Sequence, residues 1–406
     1  MASLRRALQR LSATNRVWTA ATLLAPPIAG SGAAALCWLA SGLGVISLAA
    51  HAGRLAIPRG VMWSAAAFAL YFVAEALAGL ANWRGTTTFG AISANLAFLG
   101  LLPFWHVLRA DRAELLGALR AAAPWFAIAA AALALAQQFA LGFRPQGGAG
   151  NPGVFAATCA VLLVFAVDAF AEAWRNGASR AVATAGVLAA ALAVLASGSR
   201  ALWPALAFVP AILLAGNARI GRSGLLAAVV ALGVAIAAAW PTIGNRIALA
   251  RNDLELARQD ELRTPTGKRL VIWRVALDAI AEKPLLGHGP DSPRPLMEER
   301  SAAVAGFPVI YSHFHNLLLN EMVRAGLAGT TGLLAMFAVP LGVAFAARRR
   351  DETAASAFRL LAACQAALLC SGMLNILFGH DILDALFVST TAVCLYLSAG
   401  AATEKP

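Results

Sequence analysis

Charge is scarce in this 406-residue sequence: Asp, Glu, Lys and Arg together make up 13% of it. A soluble domain carries nearer a quarter, so that class is excluded. Hydrophobic residues account for 60% and the mean hydropathy is +0.71, the composition of a polytopic membrane protein. Cysteine is also sparse. Cys37, Cys159, Cys364, Cys370 and Cys394 all fall in apolar runs, so neither a disulfide framework nor a thiolate zinc site is indicated. No internal repeat is evident, and there is no low-complexity tail. Arg5, Arg6, Arg10 and Arg16 precede an apolar run that lacks a convincing Ala-x-Ala cleavage site and continues into further runs. It reads as a first membrane helix, not a cleaved signal. The formal charge of +12 is not read as a nucleic-acid signal, and no such partner is expected.

What is present is a series of Ala/Leu/Val-rich runs. At about 20 apolar residues per span, twelve fit: roughly 17–30, 32–50, 61–80, 88–107, 121–141, 153–171, 181–197, 201–216, 223–240, 325–347, 355–376 and 381–400. The Pro26-Pro27 pair is a candidate break in the first. If the N-terminus is inside, the short inside segments carry Arg54 and Arg59, then Arg109, Arg112 and Arg120, then Arg175 and Arg180. Arg219 and Arg222 follow, then Arg348 to Arg350. The short outside turns carry only Arg84, Arg144 and Arg200. By the positive-inside rule both termini are inside, and the long polar insert between spans 9 and 10 is outside. The expected fold is therefore all-α and polytopic: helices over 1–240, a partly helical outer loop over 241–315, and three more spans over 316–406.

The outward cations are the exceptions to the charge rule. Arg200, in Ser197-Gly198-Ser199-Arg200, opens a span, where a cation opposes the helix macrodipole. An anion there would reverse the penalty by engaging both the guanidinium and free backbone N–H groups; the alternative is an arginine snorkelling to headgroups. Arg144, in a Gly/Pro-rich turn, is either a further cation at the same place or a snorkelling side chain. In the insert, helices are expected over about Asn245–Arg263 and Lys268–Lys283. The second would bury Leu270, Val271, Ile272, Trp273, Leu277 and Ile280, and Arg274, Asp278 and Glu282 would satisfy one another at i, i+4, i+8. Arg269 has no such partner, which makes it the better phosphate ligand, with Lys268 beside it a weaker one. Trp240, Trp273, Phe307 and Tyr311 are either interfacial anchors or ordinary packing.

The block His313-Phe314-His315-Asn316 comes next. With helix from near His315, Asn316, Asn320 and Arg324 form one polar stripe, expected to face a cavity or the bundle interior. A histidine there is a candidate general base. A metal set of His313, His315, His288 and Asp291 lacks a recognised ligand spacing, so no metal is expected. Glu75, Asp168 and His106 lie in or at the ends of spans, without an assignable role.

Taken in order, Ser197-Gly198-Ser199-Arg200, Lys268-Arg269-x3-Trp273, Pro284-Leu285-Leu286-Gly287-His288-Gly289 and His315-Asn316-x3-Asn320-x5-Gly326 resemble the O-antigen ligase/polymerase superfamily of bacterial inner-membrane glycosyltransferases. The compact length resembles the ligase branch of lipopolysaccharide assembly. The resemblance implies transfer of glycan from undecaprenyl pyrophosphate to a sugar hydroxyl of lipid A–core at the periplasmic face of the Gram-negative inner membrane. It also implies a metal-independent inverting reaction without cofactor, both termini being cytoplasmic. By that resemblance His315 corresponds to the base, and Arg200 and Arg269 hold the pyrophosphate. Arg144, Lys268, His313, Asn316, Asn320 and Arg324 are then candidate substrate contacts. His313, two residues before His315, leaves open which imidazole meets the acceptor. The rival readings are an O-antigen polymerase, with a second lipid-linked glycan as acceptor, and a non-enzymatic lipid-linked sugar transporter, which repeated halves would favour.

Overall fold

In lipid a backbone can satisfy its polar groups only within itself, so long apolar runs become helices. The computed structural model describes residues 2–406 except Gly53, Ala178, 216–220, Ile376, Ala402, Lys405 and Pro406. The side chains of residues 2–11, Ala215, Gly221, Arg222, Leu225, Thr403 and Glu404 are likewise not described. Arg219, and the side chains of Arg5, Arg6, Arg10 and Arg222, thus lie outside the described residues.

The helices are α1 (Ala2–Leu24), α2 (Pro26–Ala29), α3 (Ser31–Ala50), α4 (Arg59–Ala81), α5 (Thr86–Ala94), α6 (Leu101–Val107) and α7 (Arg112–Leu135). They continue with α8 (Pro152–Asn176), α9 (Arg180–Ala196), α10 (Ala205–Ala215), α11 (Gly221–Ala238) and α12 (Trp240–Arg258). The chain goes on through α13 (Pro265–Glu282), α14 (Pro293–Ala305), α15 (Leu317–Ala347), α16 (Glu352–Leu374) and α17 (Asp381–Ala399). One two-residue antiparallel pairing, Leu55–Ala56 with Thr403–Glu404, joins the α3–α4 connection to the C-terminal segment. As expected, the protein is an all-α membrane protein.

Among the described residues, eight helical stretches are long and apolar enough to cross a membrane, or nine if the pair α11–α12, bent by 67°, is one span. Twelve were expected. The three that fall short are α9 and the stretch Arg200–Leu214, which are apolar but short, and α1, whose sequence carries four arginines. The Pro26-Pro27 break is present, between α1 and α2.

The apolar stretch of α8 is entirely buried and that of α17 nearly so. Helices α7, α9, α10 and α16 surround α8, while α3, α6 and α16 pack on α17. Association within lipid depends on close packing of small residues. Gly332 of α15 lies against Tyr71 of α4, where a Cβ would come within 2.7 Å of the Tyr71 Cα. An aromatic cluster of Phe68, Tyr71, Phe98, Phe337, Phe378 and Phe387 fills the space beside α4 and α15.

At one end of the bundle, ion pairs link the helix termini: Arg16 with Glu114, Arg112 with Asp351, and Arg120 with Asp168. The last gives Asp168 a partner. The opposite end carries the long insert. Its second helix starts as its sequence dictates: Thr264 is the N-cap, accepting from Gly267 N at 3.1 Å, and Pro265 follows at N1. The third helix, α14, was not foreseen. It packs on α13 and forms a small separate core with Val271, Ile272, Met297 and Phe314.

Two local expectations are corrected. Leu270 and Leu277 are exposed, because α14 and the His313 block cover only the face of α13 that carries Val271, Val275 and Ala279. Arg274 is exposed and makes no ion pair with Asp278 among the described residues. Glu282 instead turns to Arg300 of α14, at 2.7 Å, since α14 brings a cation directly opposite it. The helix of the polar stripe begins close to where it is expected, with Asn316 as N-cap and Leu317 as the first helical residue.

Helix α15 is broken at Gly326, whose φ of 60° and ψ of −152° lie where only glycine is comfortable. An unbroken helix would bond Leu327 N to Val323 O and Ala328 N to Arg324 O. Instead Leu327 N donates to Pro284 O at 2.8 Å and Ala328 N to Leu285 O at 3.1 Å. The freed carbonyls of Val323 and Arg324 accept from His288 N (2.8 Å) and Gly289 N (2.9 Å). The Pro284–Gly289 turn thus replaces, bond for bond, what the break removes.

Candidate active site

A cavity of about 720 Å³ opens at the end of the bundle that carries the insert. Arg144 reaches it from the α7–α8 connection, Arg200 from the turn between α9 and α10, Arg246 from α12 and Arg269 from the first turns of α13. The structure therefore brings together three cations singled out in the sequence and adds a fourth. None of the four forms a salt bridge among the described residues. Two are held by main-chain carbonyls: Arg144 Nε donates to Ser197 O at 2.6 Å, and Arg200 Nη1 to Arg246 O at 3.1 Å. Asp253, buried beside them, accepts from Thr266 Oγ1 at 3.0 Å and is the one carboxylate among the described lining residues.

Four like charges in a part-buried space repel one another. Burial first, then the Arg246 and Arg200 guanidiniums, pull Arg144 down to about 10. Burial and Arg200 lower Arg269 as well, against the opposing pull of Tyr311 and Asp253. Such a site gains most from an anion carrying more than one charge. The N-terminus of α8 adds to it: Asn151, which caps Gly153 N at 2.8 Å, lies in the cavity wall.

Arg246 falls within the helix expected over about Asn245–Arg263 but is not among the candidate cations of the sequence. The helix starts earlier, at Trp240. Arg246, Leu249, Ala250, Asp253 and Leu254 then share one face at helix spacing, and that face lines the cavity. The spacing was present in the sequence. Lys268 is half-buried and outside the cavity wall.

The histidine block lies beside this cavity. His313 Nε2 is 3.1 Å from His315 Nδ1, and Ser312 Oγ is 2.9 Å from His313 Nδ1. Burial and Arg269 lower His313 to about 4; burial, His313 and Arg269 lower His315 to about 3. Both rings are neutral near pH 7. Tyr311 packs edge-on against the His315 ring at 4.8 Å. The residue between the two histidines is pinned on both sides of its backbone: Trp273 Nε1 donates to Phe314 O at 2.8 Å, and Phe314 N donates to Asn320 Oδ1 at 3.2 Å. His315 itself has a left-handed backbone, φ 52°.

A second, very small cavity is lined by His313, Asn316, Asn320, Glu321 and Arg324, so the predicted stripe does face one common space. Asn375 lines both cavities. Within the stripe each polar group also has an internal partner. Asn316 Oδ1 caps Leu319 N at 3.0 Å. Arg324 forms a buried ion pair with Glu75 at 2.8 Å, and Glu75 accepts from Asn95 Nδ2 at 3.0 Å. His315 is in the wall of neither cavity; it is coupled to the arginines through the Arg269 charge. His288 and Asp291 are not gathered with the other histidines: His288 Nε2 bonds Ala279 O at 2.8 Å, and Asp291 accepts from Thr87 and Thr88.

An uncharacterized protein of Haemophilus influenzae is 26% identical over 288 residues, covering 68% of this chain and 70% of its own length. Residues 185–334, from α9 through the insert to α15, match the sequence pattern of the family described as O-antigen ligase. That stretch contains Arg200, Arg246, Arg269, His313 and His315, and the match supports membership of the O-antigen ligase/polymerase superfamily.

Proposed function

We propose that this chain is an O-antigen ligase, transferring glycan from undecaprenyl pyrophosphate to a sugar hydroxyl of lipid A–core. One observation carries the reading: four arginines without carboxylate partners line one cavity, beside a pair of neutral imidazoles. On this reading the cavity faces the periplasm from the Gram-negative inner membrane, and both termini are cytoplasmic. On the same reading the spans number twelve: the eight helices that length and composition identify, the bent α11–α12 pair taken as one, and α1, α9 and the α10 stretch.

Polyprenyl pyrophosphate is already a good leaving group. The reaction needs stabilisation of the departing pyrophosphate and removal of a proton from the attacking hydroxyl. Arg144, Arg200, Arg246 and Arg269 meet the first need, in a site partly screened from water where such contacts are strongest. Among the described lining residues, Asp253 is the one counterion for their surplus charge. His315 meets the second; a positioned base contributes about 10² to 10⁴-fold. Its lowered pKa keeps the ring unprotonated, and the imidazolium formed during transfer returns its proton readily. The acceptor oxygen bonds to the anomeric carbon as the carbon–oxygen bond to phosphate breaks on the opposite face, so the configuration inverts. No step requires a metal.

A polymerase would use the same arginines and histidine with a second lipid-linked glycan as acceptor. Purified protein supplied with lipid-linked O-antigen and lipid A–core tests the choice. A ligase gives core-linked glycan; longer lipid-linked glycan would instead identify a polymerase.

A further inference from the structure

His315 is backed by other polar groups, and they decide which of its nitrogens accepts a proton. Its Nδ1 faces His313 Nε2 at 3.1 Å, and His313 Nδ1 faces Ser312 Oγ at 2.9 Å. Nε2 of His315 has no hydrogen-bond partner among the described residues. A neutral imidazole carries one N–H, so two neutral rings and a hydroxyl in series have two self-consistent arrangements. In one, Ser312 donates to His313, His313 donates to His315, and the free Nε2 of His315 bears the proton. In the other, His315 Nδ1–H donates to His313 Nε2, His313 Nδ1–H donates to Ser312 Oγ, and the free Nε2 offers a lone pair. The second turns both ring N–H groups toward Ser312, which is exposed and can donate its own O–H to water. A base for the acceptor hydroxyl needs a lone pair on the nitrogen that has no protein partner, and only the second arrangement places one on Nε2.

Building on the transferase reading, we infer that His313 is a positioning residue that holds His315 in the Nδ1–H tautomer, leaving Nε2 as the base. Three features fix the geometry. Phe314, between the rings, is bonded through both its N–H and its carbonyl. Tyr311 packs on the His315 ring. The backbone of His315 is held at φ 52°, a conformation that non-glycine residues adopt mainly where the surroundings impose it. During transfer the acceptor O–H proton moves to His315 Nε2, and the oxygen's electron pair forms the bond to the anomeric carbon. The pyrophosphate leaves with the electrons of the broken bond. The resulting imidazolium keeps its Nδ1–H on His313 and later releases the Nε2 proton to water.

The test is 15N NMR of His315 in full-length protein in nanodiscs, with kinetics of His313→Gln, His313→Ala and His313→Glu. The inference predicts a protonated Nδ1 in wild type and in His313→Gln, whose amide oxygen can reach the place of the imidazole Nε2. It predicts a kcat about 10 to 100-fold lower in His313→Ala with little change in KM, by analogy with other groups that orient a histidine, and recovery in His313→Gln. In His313→Glu the acid limb of the pH profile should move upward, because a carboxylate stabilises the imidazolium. A protonated Nε2 in wild type, or an alanine variant as active as wild type, would overturn the inference. Inactive wild type with a protonated Nδ1 would leave the tautomer assignment standing and overturn the transferase reading instead.

Discussion

Arg200 donates from Nη1 to the main-chain carbonyl of Arg246 at 3.1 Å, tying the turn before α10 to the bent α12 of the insert. The two guanidiniums therefore occupy a shared frame, and Arg246 ranks with Arg200 in the cluster although the sequence reading passed over it. Arg200→Ala and Arg269→Ala should each lower transfer about 10² to 10³-fold, the effect of removing one preorganised donor to a developing charge. Arg246→Ala should lower it at least about tenfold. Lysine at 200 or 269 should recover only part, since an ammonium cannot grip two phosphate oxygens at once. Initial rates with a lipid-linked donor check this, and near-normal activity of the lysine variants would remove the bidentate part of the argument.

Gly326 sits against the backbone of Leu285, where an added Cβ would lie 2.5 Å from its carbonyl carbon and oxygen. Gly326→Ala should separate the Pro284–Gly289 turn from α15 and loosen the four exchanged hydrogen bonds. Hydrogen exchange should then rise at His288, Gly289, Leu327 and Ala328 while α8 and α17 stay protected. Unchanged protection at those four amides would show that the break does not depend on glycine.

Glu75 and Arg324 form a buried pair, with Glu321 close by. Removing one partner of a buried pair leaves an uncompensated charge and costs about 3–5 kcal/mol. Glu75→Ala should lower thermal stability more than Glu75→Ala combined with Arg324→Leu. A double variant no more stable than the single would mean that Glu321 already compensates Arg324. The same variants separate a structural Arg324 from a ligand contact, because a contact predicts loss of activity even where stability is restored.

His313 and His315, at about 4 and about 3, lie below the ordinary histidine value of 6.5. Protonation therefore favours the unfolded chain. Their contribution to stability is full above about pH 6.5 and is lost as pH falls through the window toward 3. Melting temperature in nanodiscs should drop between pH 7 and 5, with a shallower slope when both are glutamine. Over that window His315 should impose no acid limb on the wild-type rate, because the ring stays neutral.

The all-α membrane architecture was legible in the sequence because apolar runs and low charge leave few alternatives. Arg144 and Arg200 were legible as cations set against the charge rule and Arg269 as one without a partner at helix spacing, and the cavity gathers all three. Arg246 was not singled out, although helix spacing sets it on one face with Asp253; that this face meets Arg144, Arg200 and Arg269 depends on the 67° bend at Trp240-Pro241, whose angle spacing cannot supply. The stripe of Asn316, Asn320 and Arg324 followed from helix spacing, but the partner of Arg324 comes from α4, 249 residues away, which spacing cannot supply. Helix α14 carried start signals in Ser292-Pro293 and a stop in Gly306, yet its apolar residues are few and its main packing surface is α13. The relation of His313 to His315 needed the turn geometry set by the left-handed His315.

The most direct measurement is a lipopolysaccharide gel from a deletion strain carrying wild type or His315→Ala, with lipid-linked polymer measured alongside. The account predicts O-antigen on core with wild type. With the alanine variant, present in the membrane at equal level, it predicts bare core and accumulating lipid-linked polymer. A normal ladder from His315→Ala would contradict the account, and core bearing a single repeat unit would move the protein to the polymerase branch.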